Sequence, residues 1–383
     1  MKKVLLLGLA ALMGCEAFFD PQSFDRKEVE VFRAEKLVEP PAAATPARLQ
    51  VMAWNIKYGA GRIPFWFDCW GDRIQMSLKE VEANMKGLYG LIKEVDPDIL
   101  MTEEIEFNSR RSAYVNMVQE ILDHTDLNYA GFYESWDSRY IPSEGLGRIN
   151  LGVAIFSKYP IKKAESIKQD ERTDLAAHES PFYIKRVIGR AEIALDETRS
   201  VAAFAVHTAA FDKDGTKQKQ LKQIEEVVQA EALPAGVGGD FNEIPPNAVT
   251  LHGFADERTT AVCGDDFETP PYSPGLMNPF FEGMIPAVTL EQMGDTQESQ
   301  SRYFTHTMLG SDQANEAGEA GFWTRTLDYL FATSGSWVPG STDVLQQQGQ
   351  RIGGEDGVGP KIEGDVMNLS DHAPVVGIWE VGQ

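Results

Sequence analysis

The chain has 383 residues, 43% of them hydrophobic, enough for a sizeable core in one large domain or two ordinary ones. Lys and Arg total 35 against 58 Asp and Glu, a net charge of −23 that argues against a generic nucleic-acid binder, which must neutralise phosphates with basic groups. The composition is not that of a disordered chain, and the three cysteines form no CxxC or Cys/His cluster that would hold structural zinc.

The amino terminus reads as an export signal. Lys2 and Lys3 form a positive n-region, Val4–Met13 a short apolar h-region, and Gly14-Cys15 closes it. That apolar run is too short to span a membrane. Leu12-Met13-Gly14-Cys15 resembles a bacterial lipoprotein signal, which implies removal of residues 1–14 and lipidation of Cys15. The expected location is the bacterial cell envelope, membrane-anchored through Cys15, with a secreted protein as the alternative. Residues 15–47 end in the Pro- and Ala-rich Glu39–Ala47 and read as an extended tether. Cys69 and Cys263 remain, either as one disulfide or as two buried thiols.

From residue 48 to 383 the pattern is that of one domain. Leu49–Ile56 reads as a strand, broken by Gly59, Gly61 and Pro64. Val81, Met85, Leu88, Leu91, Ile92 and Val95 recur at helical spacing, so Leu78–Val95 is predicted helical, with Asp96-Pro97 as its stop. A strand starts at Ile99–Met101, a helix is expected around Ala113–Leu122, and a strand at Gly152–Ser157. Phe182–Leu195 and Ser200–His207 read as adjacent strands, Lys217–Ala232 as an amphipathic helix, and a strand then approaches Asp240. Thr326–Thr333 and Ala373–Val381 are the last strands. Strands outnumber helices, which favours an α/β domain of two packed sheets with flanking helices over an open parallel sheet. Residues 59–72, rich in aromatics (Phe65, Trp66, Phe67, Trp70), and residues 262–321, rich in Pro, Gly and acids, read as insertions.

The chemistry gathers where strands run into loops. Asn55 ends the first strand, Glu103-Glu104 the second, and His207 another; Gly239-Asp240-Phe241-Asn242 and Ser370-Asp371-His372 follow. Sheet-end loops are where a rigid scaffold presents functional groups. Phosphoester hydrolysis needs a hard cation on phosphoryl oxygens, and Glu104, Asn55 and Asp371 carry oxygen donors for Mg²⁺ or Mn²⁺, with Ca²⁺ a third option. Asp240, held by Asn242, suits a general base for water. Protonated His207 and His372 suit donors to developing negative charge, and Asp328 suits an orienter of His372. Chemistry alone does not separate Glu103 from Glu104. Asn55, Asp240, Asn242, His207 and Asp371 would each, taken singly, pass for turn, cap or structural residues, and it is their combination that points to a site. His306 is read as structural, and Phe65–Trp70 as buried packing.

These residues, in this order, resemble the endonuclease/exonuclease/phosphatase superfamily, from about Arg48 to Trp379. PDILMTEE at Pro97–Glu104 is similar to the family's PDI-x-x-L-Q-E segment, with Glu103 where Gln is usual, and GVAIFSKYPI at Gly152–Ile161 is similar to another family strand and turn. The resemblance implies a four-layer α/β sandwich of the DNase I-like kind, two mainly antiparallel sheets covered by helices. It places Glu104 as the metal ligand rather than Glu103, which is left as a solvated or ion-paired neighbour. Asp371 then helps hold the metal, His372 contacts the scissile phosphate, Asp328 orients His372, and Arg186 contacts substrate phosphate. The expected activity is metal-dependent phosphoester hydrolysis by a monomer, on nucleic acid or on small phosphorylated molecules and phospholipid head groups. A non-catalytic binding protein on the same fold is the alternative from another class. Metabolic labelling with a fatty acid is expected to mark the wild type and not Cys15→Ala; an unlabelled wild type would exclude the anchor.

Overall fold

The computed structural model describes residues 24–65, 71–141, 145–210, 213–257 and 272–382. Cys15, the residues Trp66–Trp70 and Cys263 lie outside them, and with them the expected signal, lipidation site and disulfide.

The strands in chain order are β1 (Arg26–Glu28), β2 (Val31–Arg33), β3 (Arg48–Asn55), β4 (Ile99–Glu106), β5 (Tyr129–Ile141), β6 (Gly147–Ser157) and β7 (Ile161–Lys168). Then come β8 (Val187–Ala194), β9 (Ser200–His207), β10 (Ala235–Asp240), β11 (Ile285–Pro286), β12 (Asp328–Ala332), β13 (Ser336–Trp337), β14 (Asp343–Val344) and β15 (Val375–Glu380). They build two mixed sheets, ordered β1-β7-β8-β9-β10-β12-β11 and β13-β15-β3-β4-β6-β5-β2, with β14 also on β15. The expected two-sheet α/β sandwich is the observed fold.

Alternation along β9 shows why the layers stack this way. Val201, Ala203 and Ala205 enter the core shared with the other sheet, whereas Ala202, Phe204 and Val206 enter a second core beneath the helix Thr216–Gln229. A strand buried on both faces has to be apolar throughout. Leu78–Val95 forms the helix its spacing predicts: the six periodic residues are buried, Ser77 and Glu80 cap each other at the start, and Asp96 stops it in a left-handed conformation.

Several boundaries differ from the sequence reading, for local reasons. The helix expected from Ala113 begins at Met117, because Ala113 and Tyr114 take left-handed φ of 55° and 61° and Asn116 supplies the cap. The strand expected from Phe182 begins at Val187, after a 3-10 turn at Ser180–Phe182. β5 and β7 went unread. The segment read as a tether is docked on the domain: β1 pairs β7, β2 pairs β5, Asn128 bonds both polar groups of the Val38 backbone, and Arg199 donates to the carbonyls of Ala43 and Ala44. The segment docks through its own backbone groups, which composition does not reveal.

The described part of the second insertion is a structural layer. Met277, Phe280, Met284, Val288 and Met293 pack with Phe241, Tyr329 and Phe331 over the outer face of β10 and β12. Phe241 and Phe280 meet edge to face, with ring centroids 5.1 Å apart.

Candidate active site

Strand register assembles the site. β10 runs parallel to β9 and antiparallel to β12, and the two ladders set Asp240 opposite His207 on one side and opposite Asp328 on the other. Three functional side chains thus end three adjacent strands of one sheet. In the facing sheet β3 and β4 are parallel, with Asn55 opposite Glu103, and β15 returns antiparallel to β3 just after His372. Ser370 Oγ donates to the Asn55 carbonyl at 2.7 Å and Trp54 Nε1 to the His372 carbonyl at 2.8 Å, which fixes the Asp371-His372 turn against the end of β3. Thr305 Oγ1 accepts from the Asp328 N–H at 3.1 Å, tying the end of β12 to the same corner.

A β-bulge separates the two glutamates that chemistry could not separate. The β4–β6 register shifts between Thr102 and Ile105, and Glu104 takes a left-handed φ of 55°. A bulge re-aims a side chain, and here it turns Glu104 toward the site with 27% of its side chain exposed. Glu103 points into the core instead and is fully buried. The expectation that Glu103 is solvated or ion-paired is corrected: among the described residues neither carboxyl oxygen has a hydrogen-bond partner. Burial first, then Asp328 and Asp240, hold its pKa well above the usual carboxylate value, which favours its neutral form. Gly239, at φ 136°, accommodates this packing, since a Cβ there would meet the Val206 carbonyl at 2.1 Å and Glu103 Oε1 at 2.7 Å.

Asp240 is the hub. Its Oδ1 accepts the Asn242 N–H at 2.9 Å. Its Oδ2 faces Asn55 Nδ2 at 3.2 Å, His207 Nε2 at 3.3 Å and His372 Nε2 at 3.8 Å. The other nitrogen of His372, Nδ1, lies 2.8 Å from Asp328 Oδ2, the orienting pair expected from sequence. Asn242, itself left-handed at φ 49°, donates its amide nitrogen to the Thr208 carbonyl at 3.0 Å, which leaves its amide oxygen to the site. Lys217, buried with Glu243 at 3.0 Å, holds the Asn242 carbonyl from behind at 2.9 Å.

Protonation states follow from these contacts. Burial opposes charge on His372, but Asp328 and Asp240 push its pKa up to about 10, so it is an imidazolium at neutral pH. Burial, with Arg186 and His372 nearby, holds His207 well below the ordinary imidazole value. His207 is therefore neutral, a correction to the expectation of two protonated histidines, and it retains one N–H to donate. Burial raises Asp240 despite the pull of His372, and burial together with Asp371 raises Glu104. Burial works the same way on Asp371, yet Lys57 and His372 overcome it and hold this carboxyl below its usual range.

The fit to a divalent cation is a matter of donor atoms. Mg²⁺ takes one or two carboxylates and completes its shell with water and substrate oxygens. Glu104, bulged outward, and Asp371, with 17% of its side chain exposed, supply such carboxylates. Asn55 reaches the site with the opposite end from the one a cation needs: its nitrogen faces Glu104 Oε1 at 3.4 Å and Asp240, while its oxygen accepts the Lys57 N–H at 3.0 Å. Asp240, Asp328 and His372 also lie close enough to hold an ion. Their geometry is that of an oriented histidine, because His372 Nδ1 is already committed to Asp328.

Arg186 stands half-buried before β8, near Glu104 and Asp240, and its Nη1 is buried without a hydrogen-bond partner among the described residues. One residue at the site escaped the sequence reading. Lys57 places Nζ 3.1 Å from Asp371 Oδ2, and the only sequence signal was its position two residues after Asn55. His306, read as structural, packs its ring edge to face on His372 at 4.7 Å.

The sequence profile of the Endonuclease/Exonuclease/phosphatase family matches residues 52–372. Among solved structures the chain is similar to an endonuclease/exonuclease/phosphatase from Beutenbergia cavernae, at 15% identity over 88% of this chain and 72% of that one, with a TM-score of 0.49. It is similar to truncated TDP2 from Caenorhabditis elegans, at 16% identity over 87% and 97% of the two chains, with a TM-score of 0.45. It is also similar to a mannosyl-6-phosphatase from Bacteroides thetaiotaomicron, at 14% identity over 86% and 98%, with a TM-score of 0.46. No curated protein matches it.

The His372–Asp328 contact makes a direct prediction. Asp328→Asn should drop the His372 pKa from about 10 toward the ordinary imidazole value of about 6.5. NMR of the His372 ring across pH reads this, and an unchanged curve would show that Asp328 does not set its charge.

Proposed function

Because the chain belongs to the endonuclease/exonuclease/phosphatase family, we propose that it hydrolyses phosphoester bonds by attack of an activated water. The observation that carries this reading is the convergence on Asp240 Oδ2 of His207, Asn55 and an Asp328-oriented His372, beside the outward Glu104. Asp240 takes the proton from water; its raised pKa brings it nearer the operating pH than a free aspartate. The Asn242 amide oxygen holds that water, since its nitrogen is committed to Thr208. His372 as a cation and His207 as a neutral donor bond the phosphoryl oxygens that gain charge. Arg186 directs its unpartnered Nη1 at a substrate phosphate. A divalent cation, Mg²⁺ or Mn²⁺, would rest on Glu104 with Asp371 and Asn55 beside it, and its chemistry is to neutralise phosphoryl oxygens as a Lewis acid.

For the substrate, we favour a small or lipid-borne phosphoester over a nucleic acid. Arg186 apart, several basic residues near the site are internal counter-ions: Arg111 with Glu106 at 2.7 Å, Lys217 with Glu243 at 3.0 Å, Arg325 with Glu257 at 3.2 Å and with Asp256, and Lys57 with Asp371. Cations committed in this way do not line a groove for a polyanion.

Hydrolysis of an activated phosphodiester with added Mn²⁺ is expected to fall at least about 10²-fold in Asp240→Ala and in His372→Ala. Near-wild-type turnover in either would overturn the roles, and metal-independent silence of the wild type would favour a binding protein on this fold. The acid limb of the rate should lie above the ordinary aspartate value of about 3.9, because the base must be ionised and its pKa is raised. With a compact substrate the rate should change little between roughly 50 and 200 mM salt, whereas DNA cleavage lost about 10³-fold over that range would establish a polyanion groove.

A further inference from the structure

Lys57 is placed as lysines rarely are. It is 6% exposed, and its backbone is left-handed at φ 43°, followed by Tyr58 at 42° and Gly59 at 66°. Lysine is almost never buried without a partner, and non-glycine residues leave the ordinary φ range only where the surroundings compel it. The turn brings both ends of Lys57 to the catalytic corner. Its ammonium lies 3.1 Å from Asp371 Oδ2, and its backbone N–H donates to Asn55 Oδ1 at 3.0 Å. Ser370 Oγ, whose proton goes to the Asn55 carbonyl, also lies 3.3 Å from Asp371 Oδ1.

One residue therefore engages two of the three oxygen donors that a cation at this site would use. Asn55 is turned so that its nitrogen faces Glu104 and Asp240, and Asp371 shares its charge with an ammonium. Glu104 is the carboxylate left outward, its Oε2 without a hydrogen bond or ion pair among the described residues.

We propose that Lys57 is a resident cation of the active site, its ammonium supplying beside Asp371 the positive charge that a second divalent ion would bring. The site then holds one divalent ion, anchored on Glu104, and Lys57 is a positioning residue for Asp371 and Asn55. The proposal rests on the reading of Glu104 as the cation's anchor. It predicts more than a surface ion pair would, because Lys57 sets how many ions bind and how tightly.

Calorimetry of Mn²⁺ binding to the purified chain tests this. The wild type is expected to take up one ion, and Glu104→Gln to lose it; a Glu104→Gln protein that binds as wild type does removes the premise itself. Lys57→Met should bind Mn²⁺ at least about tenfold more tightly or take up a second ion, since a charge beside the ion and a competitor for Asp371 both disappear. Its hydrolytic rate should fall, and Lys57→Arg should restore single-ion binding. Two ions in the wild type, or wild-type affinity and stoichiometry in Lys57→Met with Glu104→Gln inactive in binding, overturn the proposal. Lys57→Gln, which removes the charge but keeps a polar end, replaces Lys57→Met if the latter does not fold, with the same expected and overturning results.

Discussion

Five carboxyl groups, Glu103, Glu104, Asp240, Asp328 and Asp371, converge where the ends of the two sheets meet, and the cost of burying them together governs what surrounds them. An ionised carboxylate taken out of water costs several kcal/mol unless a partner compensates it. Each group meets that cost differently. Glu103 is pushed toward its neutral form, Asp328 binds the His372 imidazolium, and Asp371 binds the Lys57 ammonium. Glu104 and Asp240 are left with raised pKa values, Asp240 sharing the His372 imidazolium with Asp328. Those two have the most to gain from an incoming cation and from an incoming proton, which is the division of labour hydrolysis needs.

Precision at the corner comes from the backbone. Strand register alone aligns His207, Asp240 and Asp328, and no loop has to be ordered for them to meet. Where register would aim a side chain wrongly, the chain departs from extended geometry. Glu104, Lys57, Asn242 and Gly239 all take positive φ at the site. Such conformations cost on the order of 1–3 kcal/mol each at non-glycine residues and persist only where neighbours fix them. The hydrogen bonds from Ser370, Trp54 and Lys217 to backbone carbonyls are those neighbours.

What the sequence revealed and what it hid divide along this line. Strand ends were legible, because Asn55, His207 and Asp240 each close an apolar run and Asp328 opens one, and their order matched a known pattern. The helix Leu78–Val95 was legible because six apolar residues share one face. Hidden were properties that depend on dihedrals and on distant partners. The bulge that selects Glu104 over Glu103, the turn that buries Lys57 and the neutral state of His207 have no one-dimensional signature. β1 and β2 were hidden for a related reason: they dock through backbone pairing, in a segment whose Pro and Ala content suggested freedom. His306 lacked context because its partner, His372, is distant in sequence and meets it through a β-bridge and an edge-to-face ring contact.

The same charge economy bears on the substrate. A polyanion is held by basic side chains that are free to shed counter-ions. Here Arg111, Lys217 and Arg325 are spent on Glu106, Glu243 and the Asp256–Glu257 pair, where they stiffen the loops after β4, β9 and β10. Buried pairs of this kind add rigidity more dependably than net stability. Arg186 differs, since its buried Nη1 meets no acceptor among the described residues and its neighbours are the raised carboxyls Glu104 and Asp240. On the proposed reading, a single unpaired guanidinium beside one cation anchor suffices for one phosphoryl group. It does not suffice for a run of them, so recognition of the remaining molecule would fall to the loops around the corner.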